Sequence, residues 1–242
     1  MRKSFAIVCL ILALIVAVPA VLAQDSLAYG DTVAGAITSD EFSIEYTFEG
    51  TEGDVVVIEM RRTSTDEELR RPAVQLIAPD GDVLGDTSDN FSFGFALLAA
   101  QLPESGTYTI IAGRIDGPDG DSVGGFELEL IQPETLEAGA DAIEGEINNE
   151  ARDQFYYLPA EQDVTLVYRP GDSTYIPLVA INVVNQGALR PLGQIAGVFV
   201  EQATLSIDAD EDDLYIVTVR AQESDYFFDE IESEYELSVS AD

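Results

Sequence analysis

Phe126-Glu127-Leu128-Glu129-Leu130 alternates apolar and acidic residues, and Tyr235-Glu236-Leu237-Ser238-Val239 repeats the pattern 109 residues later. Period-two alternation is the signature of a strand with one face buried and one in water. Other motifs return in the same order. Gly106-Thr107-Tyr108 returns as Asp213-Leu214-Tyr215, and Gly53-Asp54 followed by Val55-Val56-Val57-Ile58 returns as Gln162-Asp163 followed by Val164-Thr165-Leu166-Val167. Leu27 to Gly30 followed by Gly35-Ala36-Ile37 returns as Leu136 to Gly139 followed by Gly145-Glu146-Ile147. The offset stays between 107 and 110 throughout. A period that long marks duplicated domains rather than a solenoid of short units.

The same reading extends along the chain. Phe42, Ile44, Tyr46 and Phe48 alternate with polar residues. Ala73–Ile77, Tyr108–Ile111, Ile176–Ile181 and Leu214–Val219 are short apolar runs typical of central strands, with Pro177 marking an edge or a strand start. Gly50–Gly53, Pro79-Asp80-Gly81, Pro103–Gly106 and Gly117–Gly120 are turn signals between them. Many short strands at such spacing predict an all-β chain of sandwiches, with about seven to nine strands in each repeat. The charged segment Arg61–Arg71 reads as a loop, and Gln132–Thr135 as a short linker. The expected units are a leader over 1–23, a first sandwich over 24–132 and a second, diverged one over 133–242.

The leader is read from Arg2 and Lys3, the apolar run Phe5–Val18, and Val21-Leu22-Ala23 after Pro19. This is the order of a secretory signal peptide, with cleavage expected after Ala23. An uncleaved anchor is the alternative. No membrane insertion is expected of the cleaved chain. The expected location is secreted, extracellular or in the cell envelope.

Composition narrows the chemistry. Beyond residue 23 the chain has no His, Lys, Cys or Trp, and nine Arg face 46 acids, a formal charge of −37. Such a field repels nucleic acid and anionic membranes. A Ser-His-Asp triad, a Ser-Lys dyad, a Schiff base, a P-loop and the usual zinc sites all lack their residues. Carboxylate-only hydrolysis remains. Asp86-Thr87-Ser88 and Asp172-Ser173-Thr174 resemble aspartic-protease loops but lack the following Gly and are not repeat equivalents.

Calcium needs only oxygen ligands. Asp116, Asp119 and Asp121 lie in one Gly-containing loop, and Asp208, Asp210 and Asp212 alternate in another. The second is no EF-hand, because Val219 occupies the twelfth position. Asp80, Asp82 and Asp86 flank a third turn. Asp and Gly are also ordinary turn residues, and that reading stands beside calcium for each loop. Phe91-Ser92-Phe93-Gly94-Phe95 and Tyr226-Phe227-Phe228 read either as aromatic platforms for sugars or peptides or as packed strands. Asn90-Phe91-Ser92 fits a glycan acceptor.

These signals, in this order, resemble the bacterial pre-peptidase C-terminal domain. The resemblance rests on Gly30–Ile37, Phe42–Phe48, Gly53-Asp54 to Ile58, Leu76 to Gly81, Pro103 to Tyr108 and Gly125 to Leu130. It covers residues 27–131 well. It is weaker over 135–240, where Asn185-Gln186-Gly187 stands for the Pro-Asp-Gly turn. It implies two tandem jelly-roll-like antiparallel β-sandwiches and a non-catalytic accessory module, sometimes with calcium. The expected function is binding an extracellular protein or polysaccharide, with a structural cell-envelope role as the alternative.

Overall fold

The computed structural model describes residues 25–63, 69–88, 94–159, 163–173, 177–195, 201–210, 212–221 and 231–241. The leader, Asn90–Phe93 and Tyr226–Phe228 therefore lie outside the described residues. The first sandwich contains β1 (Asp25–Leu27), β2 (Thr32–Ile37), β3 (Ser43–Gly50), β4 (Val55–Arg62), β5 (Pro72–Ile77), β6 (Val83–Asp86), β7 (Phe95–Gln101), β8 (Gly106–Arg114) and β9 (Gly124–Ile131). The second contains β10 (Glu134–Thr135), β11 (Ile143–Asn148), β12 (Asp153–Leu158), β13 (Val164–Ser173), β14 (Leu178–Asn185), β15 (Ala188–Ile195), β16 (Ala203–Ile207), β17 (Tyr215–Arg220) and β18 (Glu232–Ala241). Among the described residues no helix is long and apolar enough to cross a membrane.

Strand order repeats with the sequence. β1-β3-β8-β5-β6 corresponds to β10-β12-β17-β14-β15, and β7-β4-β9-β2 to β16-β13-β18-β11. Between the named strands pairing is antiparallel, apart from β1 with β3 and β10 with β12. Each sandwich closes over its own core. Ile58, Phe126 and Leu128 fill the first, and Leu166, Val217 and Leu237 the second.

The repeated motifs acquire physical reasons. Gly35 lies opposite Phe126, and Gly145 opposite Tyr235. Each ring lies where a Cβ on its glycine would project. The tyrosines of the other repeated motif staple their own loops. The Tyr108 hydroxyl donates to the Glu104 carbonyl (2.6 Å), and the Tyr215 hydroxyl accepts from the Asp210 N–H (2.8 Å).

Three local readings are corrected. The segment read as a loop from Arg61 begins as strand, because β4 runs through Arg62. Phe42 is 36% exposed and precedes β3, so the inward alternation starts later than expected. The linker is shorter than expected, since Glu134 and Thr135 already pair with β12.

The two sandwiches share one continuous sheet. β15 meets β7 at the single pair Ala188 and Leu98, joining nine strands. The β14–β15 turn makes the joint. Gln186 and Gly187 both have positive φ (50° and 83°), the geometry of a two-residue hairpin that twists with its strands. Its carbonyls accept from the first sandwich, Gln186 from the Asp86 N–H (3.2 Å) and Gly187 from the Ala99 N–H (2.9 Å). A Cβ on Gly187 would stand 2.7 Å from the Gly85 Cα, so the backbones approach too closely for any side chain.

The sheet folds so that outer faces of the two sandwiches meet. On β4, Val56, Ile58 and Met60 point into the first core, while Val55 and Val57 point out, to Phe155 and Ile216 of the second sandwich. Leu97 and Ala99 of β7 join the same layer.

Gly145→Ala should cost about 1–3 kcal/mol, because the added methyl must displace a fully packed ring. Gly193→Ala, whose Cβ would meet only Leu205 at an ordinary 3.4 Å, should be neutral or stabilising by up to about 1 kcal/mol. Urea unfolding followed by circular dichroism measures both. Equal effects would contradict the stacking.

Candidate functional site

The layer between the sandwiches also holds charge. Glu59 and Arg61 follow Val57 on the outward face of β4, Asp153 opens β12 and Arg220 ends β17. Arg61 Nη2 donates to Glu59 Oε1 (2.5 Å) and to Asp153 Oδ2. Arg220 Nε donates to Asp153 Oδ1 (2.8 Å), and its Nη2 lies 3.4 Å from Glu59 Oε1. Each arginine therefore bridges one acid of its own sandwich and one of the other. The carboxylates are 9% and 6% exposed. Phe95 forms the hydrophobic bed, its ring centroid 4.7 Å from the Arg220 guanidinium carbon and 5.8 Å from that of Arg61. On the second sandwich's side the buried Asn182 amide donates to the Ile216 carbonyl (3.0 Å) and Thr218 Oγ1 (3.2 Å).

Burial sets the electrostatics. The Glu59 carboxyl is pushed up to about 7, chiefly by loss of water and then by the Asp153 charge, against the pull of Arg61 and Arg220. Glu129, directly across β9 from Glu59, is also raised, by burial and then by Asp153.

Glu59, Arg61 and Asp153 of the cluster line a cleft of about 860 Å³ between the sandwiches. Glu127, Glu129, Glu134, Glu144, Glu146 and Glu150 line it, with Arg152 beside them. Acids also oppose one another on the neighbouring outer face, where Glu144 pairs with Glu236 and Glu146 with Glu234.

Two carboxylates thus converge, as carboxylate-only hydrolysis requires. Both, however, are engaged by guanidinium groups and shielded from water. A working pair needs one acid free to protonate a leaving group and one free to attack or activate water.

The acidic loops lie at the surface. Asp116, in the left-handed region (φ 68°), pairs with Arg71 across 3.0 Å at the surface. Asp119 ends a 3-10 turn, and Asp121 is exposed. The inside of that loop holds the buried Arg114, which donates to the Gly117 carbonyl (2.7 Å) and the Ser122 carbonyl (3.2 Å). A guanidinium stands where an added cation would need backbone oxygens. Asp208, Asp210 and Asp212 are exposed, and Asp210 Oδ1 accepts from the Asp212 N–H (3.2 Å), an Asx turn. Asp80 caps its own turn through the Asp82 N–H (3.0 Å), and Asp86 Oδ2 accepts from the Gln75 amide (2.9 Å). Among the described residues no group of three or more acidic side chains is placed to hold a metal ion.

Phe95, read as part of an aromatic platform, is the bed of the ionic cluster. Sequence reasoning missed Glu59, Arg61, Asp153, Arg220 and Arg114. The available signal was that Glu59 and Arg61 continue the outward alternation of Val55 and Val57.

No family model matches the chain, and no curated protein does. Solved structures show distant likeness. The pre-peptidase C-terminal domain of a collagenase from Bacillus anthracis is 14% identical over 44% of this chain and 93% of its own, with a TM-score of 0.34. Tandem CBM51 modules of the family 98 glycoside hydrolase from Streptococcus pneumoniae are 9% identical over 89% of this chain and 85% of theirs, at 0.27. A tail fiber protein from an E. coli phage is 8% identical over 90% of this chain and 42% of its own, at 0.33. Likeness at this level does not extend to ligand or activity.

Removing one partner of a buried cluster leaves uncompensated charge, whereas an exposed pair is screened. Asp153→Asn should therefore cost about 3 kcal/mol. Asp116→Asn, whose pair with Arg71 is about half exposed, should cost less than about 1 kcal/mol. Chemical unfolding near neutral pH distinguishes them, and comparable costs would mean that the inter-sandwich cluster is energetically a surface feature.

Proposed function

We propose that the chain is an exported, non-catalytic binding module of the pre-peptidase C-terminal type. It holds an extracellular polysaccharide or protein segment in the cleft between its sandwiches. The cleft carries this reading. Its size is that of a ligand site, and its acidic lining suits a ligand bearing amino groups. The depleted chemistry of the chain, with no His, Lys or Cys beyond residue 23, supports binding over catalysis. The leader-like N-terminus supports export.

A structural role in the cell envelope is the second reading. The opposed carboxylates Glu144 with Glu236 and Glu146 with Glu234 favour it. Like charges directly opposite repel, and although Arg169 stands across from Glu236 on β13, so acidic a surface suits a salty exterior.

Calorimetric titration with a chitosan oligomer, its fully acetylated chitin counterpart and alginate tests the first reading. Chitosan should bind, chitin and alginate should not, and binding should weaken in about 0.5 M sodium chloride as screening grows. Glu146→Gln with Glu150→Gln should reduce it. Equal binding of chitosan and chitin, or indifference to the two substitutions, would refute the cleft as the site. Mass spectrometry of exported protein should find Gln24 at the N-terminus, whereas uncleaved chain in the membrane fraction would favour the envelope role.

A further inference from the structure

Charge reaches Glu59 from its own strand and from β9, β12 and β17. Arg61 shares its strand. Glu129 faces it from β9, where Glu127 stands opposite Arg61; Asp153 acts on it from β12 and Arg220 from β17, and Arg152, just before β12, lines the same cleft. β7 supplies no titratable group there, only Leu97 in register and Phe95 beneath the guanidinium groups. The cluster forms only when the sandwiches dock, because Arg61 reaches Asp153 and Arg220 reaches Glu59 from opposite sides. Separation would return all four groups to water.

We propose that this cluster is a proton-linked latch: docking of the two sandwiches takes up one proton, on Glu59, so the joint tightens in mild acid and loosens above neutrality. The geometry supplies the linkage. Two carboxylates share the same arginines in a site that excludes water, and a proton on one of them relieves their repulsion.

The direction follows from the two titrations. Docked, Glu59 is pushed up to about 7, and in water it returns to the ordinary value of 4.5. Between these values the docked form keeps a proton that the undocked form has lost. The stabilisation is full below about 4.5 and disappears as pH rises through about 7. From about pH 5 to about pH 8 the docking equilibrium should weaken by about tenfold or more. The latch does not depend on what the cleft holds, but Glu59, Arg61 and Asp153 also line that cleft, so the same proton sets how firmly its walls stand.

The test uses the full chain carrying Cys9→Ser, with spin labels at Glu41→Cys on the first sandwich and Ser240→Cys on the second. Pulsed dipolar spectroscopy at about pH 5 should give one distance, and at about pH 8 a second, longer population should grow at its expense. Glu59→Gln, neutral at every pH, should shrink that difference to what Glu129, whose carboxyl is also raised, and the general acidic surface contribute. Distances that do not change with pH in the wild type, or an identical pH response in Glu59→Gln, would overturn the proposal. A carboxyl-carbon NMR titration of Glu59 in the unsubstituted chain is the check that needs no variant: a midpoint near 7 supports the latch, and one near 4.5 overturns it.

Discussion

Four charged side chains meet between the sandwiches with little water around them, and the arrangement of the rest makes that meeting tolerable. Taking an acid or a guanidinium out of water costs several kcal/mol, recovered only when opposite charges and further hydrogen bonds surround it. Here each carboxylate touches both arginines, and each arginine touches both carboxylates. Val55, Val57, Leu97, Ala99, Phe155 and Ile216 seal the layer. The hairpin tip at Gln186 and Gly187 fixes the approach by backbone bonds. Charge supplies orientation, and apolar area supplies the drive.

The outer faces of each sandwich differ: one is apolar enough to bury against the other sandwich, and the second is charged. On the first sandwich the free face shows Glu45, Thr47 and Glu49 along β3. On the second it shows exposed Glu232, Glu234 and Glu236 along β18, opposite further acids of β11. Faces so charged disfavour further face-to-face packing. Duplicating the domain thus preserved strand order while letting the outer faces diverge.

Much of the architecture is legible in the sequence because it is local. Alternation over Phe126–Leu130 and Tyr235–Val239 marks the last strands of both repeats, and the unbroken run Val55–Ile58 signals a strand covered on both sides. The charged interface is not legible, since Arg61 and Asp153 lie 92 positions apart and Glu59 and Arg220 lie 161 apart. Charged residues after an apolar run look like the start of a loop, which is why Arg61–Arg71 reads as one, although its first residues remain in β4. The acidic turns are legible as turns. Nothing in the sequence of Asp116–Asp121 announces that Arg114 is buried beneath it and donates to its backbone carbonyls. Asn185-Gln186-Gly187 looks like a decayed copy of Pro79-Asp80-Gly81. It is the contact that joins the halves.

The central claim is that charges from different sandwiches act on each other through a water-poor layer. A double-mutant cycle of Arg61→Met and Asp153→Asn in the full chain measures that interaction directly by equilibrium unfolding. The account predicts a coupling energy above about 1 kcal/mol, the double variant being less destabilised than the two single losses combined. Additivity within about 0.5 kcal/mol would contradict it.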